Sequence, residues 1–135
     1  MRTGLRMRGH RGHPEVRRAL NRYVRWLRKS YEFPIRVPVY FLPSETIITQ
    51  DGEHVVASFF APFDRNVEPF IRIATGDYPK LKRDRDDALA AYIHSLSHEI
   101  VHYFQWVKTG NTSERGVSVK ARSMLRKYEM EVDRP

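Results

Sequence analysis

From Asp86 to Thr109 the chain runs without a glycine or a proline, and Gly110 follows at once. No other stretch limits the fold as strongly. An uninterrupted run of that length, opened by aspartates and closed by a glycine, is the signature of one long α-helix with a left-handed C-terminal cap. A helix about 36 Å long, at 1.5 Å per residue, is as long as a small domain is wide, so the remaining elements must be arranged around it.

The rest of the chain supplies them. Pro14 opens a second helix, because its missing N–H is not needed in the first turn. Val16, Leu20, Tyr23, Val24 and Leu27 then form one apolar stripe with arginines behind it, ending near Ser30. "FPIRVPVYFLP" reads as a strand that Pro38 should confine to a sheet edge or make irregular. "TIITQDGEHVVASFFAP" reads as two strands joined at Asp51-Gly52, and "EPFIRIATG" as one more. A last helix is expected over about Val119 to Asp133, after the loop "NTSERGVS". The fold class is therefore α+β: an N-terminal helix, a small sheet of three or four mostly antiparallel strands, the long helix and a closing helix. Residues 1–13, interrupted by Gly4, Gly9 and Gly12, read as a flexible basic arm on a single domain over 14–135.

With 135 residues, 41% of them hydrophobic and none of them cysteine, the chain can bury a core but cannot form disulfides or thiolate metal sites. No apolar run approaches the length of a membrane span, and the first residues lack the apolar core of a secretory signal, so cytoplasmic residence is expected. The net charge of +8 is uneven: residues 1–36 hold eleven Arg and Lys against two acids, while the other residues hold thirteen against fourteen. Such an end can attract a polyanion, with Arg17, Arg18, Arg22 and Arg25 as the expected contacts; a solvated arginine-rich helix face is the blander reading.

The long helix carries the chemistry. His98 and His102 are four residues apart, hence on one face, and Glu99 directly follows the first: the spelling is H-E-x-x-H. Two imidazoles one turn apart can share one metal ion. Glu99, rotated by about 100°, reaches instead a water in the ion's open position, whose pKa zinc lowers towards about 7. The apolar neighbours Ile93, Leu96, Ile100, Val101 and Phe104 add weight, because buried histidines without partners are costly. His94, about 12 Å from His102 along the axis, cannot join the same ion and reads as a residue of the cleft rim.

A third protein ligand is needed. Lys108 and Gly110 exclude a nearby histidine. In the closing segment "RKYEMEVDRP", Glu129 and Asp133 share a helix face and Glu131 points about 200° away from Glu129; Glu114 lies in the preceding loop. H98-E-I-V-H102 followed by a helix with E129-x-x-x-D133 resembles the gluzincin metallopeptidases, more closely the compact minigluzincins and SprT-like peptidases. The resemblance covers the chain from about residue 14 onwards. It implies a zincin-like fold, one zinc ion per chain, Glu129 as third ligand and Asp133 orienting His98. From their places in the chain alone, Glu131 and then Glu114 are the other candidates for the third ligand.

It further implies a zinc-dependent endopeptidase whose extended substrate pairs with the last strand before the active-site helix, here Phe70, Ile71, Arg72, Ile73 and Ala74. Larger gluzincins take an oxyanion-stabilising side chain from a further helical domain; Tyr103, Tyr128, His94, His10 and His13 are the candidates here. A peptide or protein substrate is the expected partner, with nucleic acid as a second partner. The alternatives are a basic nucleic-acid-binding protein and an inactive zincin fold used for interaction.

Overall fold

The computed structural model describes residues 2–9, 11–80 and 84–132. The architecture is α+β, with the first and second helices against one face of a four-stranded sheet, the third helix packed on the second, and a separate two-stranded hairpin. Strand β1 (Leu5–Arg8) leads into α1 (Pro14–Ser30), which returns the chain to β2 (Val37–Leu42). β3 (Ile47–Ile48) and β4 (His54–Val55) form the hairpin, and β5 (Ala57–Phe60) and β6 (Phe70–Ala74) complete the sheet. A short 3-10 turn at Tyr78–Lys80 precedes α2 (Arg85–Thr109) and α3 (Val117–Glu131).

The helices start and stop where local chemistry dictates. His13 caps α1 by accepting the Glu15 N–H on Nδ1, and Pro14 fills the first helical position. Gly110 ends α2 at φ 82°, a left-handed turn that costs a glycine nothing, and its N–H bonds the Trp106 carbonyl. Gly52 turns the hairpin in the same way, at φ 83°.

The sheet departs from the expected antiparallel meander. Its order is β1-β2-β6-β5, with β1, β2 and β6 parallel and only β5 antiparallel to β6. The reason lies in the first residues, which are not a flexible arm along their whole length. Leu5 and Met7 alternate with Arg6 and Arg8, a period of two; Leu5 is fully buried and both arginines are exposed. Backbone bonds from Gly4 N–H to the Phe33 carbonyl and from Val37 N–H to the Gly4 carbonyl seat β1 beside β2. The α1 crossover then makes this a parallel pair.

Pro38 consequently sits in a central strand rather than at an edge. Val37 donates towards β1, so position 38 faces β6, whose ladder with β2 begins only at Val39↔Ile71. The N–H that proline lacks has no partner to lose.

Leu5, Val37, Val39, Phe41, Ile71 and Ile73 form the inner face of the sheet. Val16, Leu20, Val24 and Leu27 of α1 and Leu96, Ile100 and Tyr103 of α2 cover it, all less than 1% exposed. α3 packs along α2, closing the helical layer with Val117, Ala121, Met124 and Tyr128. No helix among the described residues is long and apolar enough to cross a membrane.

Candidate metal centre

His98 and His102 lie one turn apart on the second half of α2, ring centroids 5.0 Å apart. Past Gly110 the chain doubles back, and the loop before α3 sets Glu114 against both rings. Its carboxylate stands 3.1 Å from His98 Nε2 and 2.8 Å from His102 Nε2. One donor atom from each of these three residues lies within 4.8 Å of the others, and they form the one such group of metal-binding side chains among the described residues.

The protonation pattern of His102 follows from its neighbours. Gln105 Oε1 accepts the Ser113 N–H, and Gln105 Nε2 donates to the Ser113 carbonyl, which fixes the orientation of the amide. Gln105 Oε1 lies 3.0 Å from His102 Nδ1 and accepts from it. Nδ1 therefore carries a proton, which leaves Nε2, the atom turned towards the Glu114 oxygen, as the one that a metal would take. The 2.8 Å contact between Nε2 and the Glu114 oxygen is one that either a shared proton or a metal ion between the two atoms can bridge. The same amide ties the loop to the helix, so Gln105 both orients the ring and places Glu114.

Glu99 is only 8% exposed. Burial holds its carboxyl above the usual carboxylate range, against the pull of His102 and with a further push from Glu114. It lies seven residues before Trp106 and so nearly in line with it along the helix. Trp106 donates its indole N–H to the Pro62 carbonyl just after β5 and packs on Phe59 of β5. The Glu99 side of α2 thus faces β5, with His102 about 60° and His98 about 100° round the helix from it.

The other expected site residues fall elsewhere. Glu129 is not part of the group; it lines a cavity of about 310 Å³ between the helices, together with Glu15, Arg18, Arg22 and Arg85. The loop before α3 is too short to carry α3 past the histidines before it packs: α3 begins at Val117 and runs back along the first half of α2, so its last turn ends away from the pair. Glu131 accepts from the Trp26 indole of α1. Asp133 and His10 lie outside the described residues.

Phe70 to Ala74 form an interior strand, bonded on both sides, and cannot accept another strand. The neighbouring free edge belongs to β5. Of the electrophile candidates, His13 caps α1, Tyr103 is occupied by both backbone groups of Ile35, and Tyr128 packs on Tyr23 and Trp26. His94 lines a shallow cleft with Asp87 and Arg122.

Sequence reasoning ranked Glu114 last among the ligands and did not single out Gln105. The usable signal was the short connection: only the seven residues 110–116 join α2 to α3, so a loop that reverses there must pass the last turns of α2. Comparison with family models, with curated proteins and with solved structures gives no match for this chain. The class that the coordinates define is thus an α+β domain with a candidate His/His/Glu metal centre on its longest helix.

Proposed function

We propose that the protein is a zinc-dependent peptide hydrolase in which His98, His102 and Glu114 hold the ion and Glu99 is the general base. The supporting observation is the convergence of two imidazole nitrogens and a carboxylate, with His102 Nε2 turned inwards while Nδ1 faces Gln105. Two nitrogens and one oxygen suit zinc, and a three-ligand set leaves a position open for chemistry. When bound there, zinc supplies Lewis acidity and an ionisable water.

The side chains divide the remaining work. His98 and His102 present nitrogens from adjacent turns, and Gln105 keeps the second ring in the binding tautomer. Glu99, buried beside them, takes a proton at its carboxylate and later releases it to the leaving amine. A raised carboxyl affinity for protons favours that exchange near neutrality. An extended peptide would add to the free edge of β5, whose Glu99-facing side brings the scissile bond to the base.

Metal analysis of freshly purified wild type, His102→Ala and Glu99→Gln tests this reading. Zinc should be retained in Glu99→Gln without peptide hydrolysis, and lost from His102→Ala. A Glu99→Gln protein that cleaves casein as fast as wild type would remove the proposed base.

A further inference from the structure

The sheet has a second face, which no helix covers. Alternation along the strands sends Arg6 and Arg8 of β1, Tyr40 of β2, Phe70 and Arg72 of β6 and Phe60 of β5 to that side. The register sets them in two cross-strand rows. Arg8 lies opposite Tyr40, Tyr40 opposite Arg72 and Arg72 opposite Ser58; Arg6 lies opposite Pro38, and Phe70 opposite Phe60. No acidic residue occupies either row. The nearest acid of the adjoining loop, Glu68, is engaged by Arg36.

The aromatic groups are open. Tyr40 is 40% exposed and Phe60 44%. Phe60 and Phe70 stack at 4.9 Å, Tyr40 meets Phe70 edge-on at 6.0 Å, and the Arg72 guanidinium lies 5.9 Å above the Phe70 ring.

The cationic character continues past the edge. Arg28 of α1 donates to the Leu5 carbonyl, and its guanidinium is held below the ordinary arginine value by burial and by the charges of Arg6 and Arg25. By contrast, the arginines expected from the sequence to meet a polyanion are divided: Arg18 and Arg22 share their cavity with Glu15, Asp86 and Glu129. The two rows on the sheet carry arginines with no acid among them.

We propose that this outer face binds single-stranded nucleic acid. A flat sheet that carries aromatic rings on its central strands offers stacking platforms for unpaired bases, while arginines at its margin meet the phosphates. A duplex hides its base faces and would gain only the charge attraction. An acidic peptide would use the arginines but leave the rings idle. The surface lies on the opposite side of the sheet from the histidines, so it is independent of the proposed hydrolase reading.

The test is fluorescence anisotropy of the full chain with a labelled oligo(dT) of about 20 nucleotides, against a duplex of the same length and a polyglutamate competitor. Single strands should bind more tightly than duplex. Tyr40→Ala and Phe60→Ala should each weaken binding by about tenfold while Tyr40→Phe retains it. Arg8→Ala should reduce the slope of log affinity against log salt by about 0.7, and Arg18→Ala should leave it unchanged. Circular dichroism and urea unfolding matching wild type confirm that each variant is folded; Phe60, at the exposed end of its strand, provides the least disruptive substitution. The proposal is overturned by equal affinity for duplex, by wild-type affinity in the Tyr40→Ala, Phe60→Ala double variant, by polyglutamate competing as well as oligo(dT), or by no binding at low salt.

Discussion

α1 and α2 pack on the same face of the same sheet, yet they bury different chemistry. Every buried residue of α1 is apolar or aromatic: Val16, Leu20, Tyr23, Val24, Trp26 and Leu27. α2 buries comparable apolar side chains and, among them, Ser97, Glu99 and His102. Each of those polar groups is costly to remove from water unless it gains a partner. The stripe of α1 can be explained by folding alone. The interruption in α2 cannot, since a leucine at position 99 or 102 would serve a core better. The contrast separates a helix selected for packing from one that sacrifices packing for a site.

The comparison is broken most severely by removing the carboxylate proposed as the base. Glu99→Gln keeps size and hydrogen bonding but cannot take a proton, so hydrolysis should fall by about 10²–10⁴-fold. Stability should hold or rise, because a neutral amide is cheaper to bury than a carboxylate. Peptide turnover and urea unfolding of the same preparation measure both. A loss of stability with unchanged turnover would return Glu99 to the core.

Next in size is the choice between the two glutamates. Glu114→Ala should lower zinc affinity by at least tenfold, whereas Glu129→Ala, which faces the arginine-lined cavity, should leave it near wild type. Titration with a competing chelator reads the difference. The opposite ranking would mean that α3 delivers the ligand, as the resemblance to gluzincins implies, and that Glu114 only occupies the gap.

These outcomes bear on what the sequence could reveal. The long helix was legible because it lacks breakers and ends at Gly110, and the histidine pair because helical spacing is short-range. α1 was legible for the same reason. What failed were the long-range pairings. β1 was hidden in a glycine-interrupted arginine-rich segment, since two apolar residues at alternate positions are too weak a signal against that charge. Misplacing β1 then made Pro38 look like an edge residue and the sheet antiparallel. The Glu114 contact depends on how a loop folds back, which residue types do not encode locally.

A core substitution in α1 should do the reverse of Glu99→Gln. Leu20→Ala, at a site with no solvent exposure, should cost about 2–5 kcal/mol of stability through lost burial and the cavity left behind. Zinc stoichiometry under native conditions should not change. If zinc were lost in step with stability, the two helices would form one functional unit rather than a scaffold and a site.

The smallest effect is expected where the two helices touch through polar atoms. Ser97 donates to the Ile93 carbonyl of its own helix, so the Tyr23 hydroxyl must donate to Ser97 Oγ across the α1–α2 contact, at 2.5 Å. Burial together with neighbouring tyrosines keeps Tyr23 protonated far above neutral pH, despite the opposing effect of the Ser97 bond, so the donor persists at any working pH. Tyr23→Phe keeps the stacking on Trp26 and Tyr128 but removes that proton, leaving Ser97 Oγ with no donor. The cost should be about 1 kcal/mol. Ser97→Ala alone should cost a similar amount, because it strands the Tyr23 hydroxyl. The double variant, with neither polar group, should recover part of the loss, since an apolar pair leaves nothing unsatisfied. Additive losses in that cycle would mean that the hydroxyls are independently solvated. Polar burial on α2 would then be tolerated outside the site as well as within it, and the contrast with α1 would lose its functional meaning.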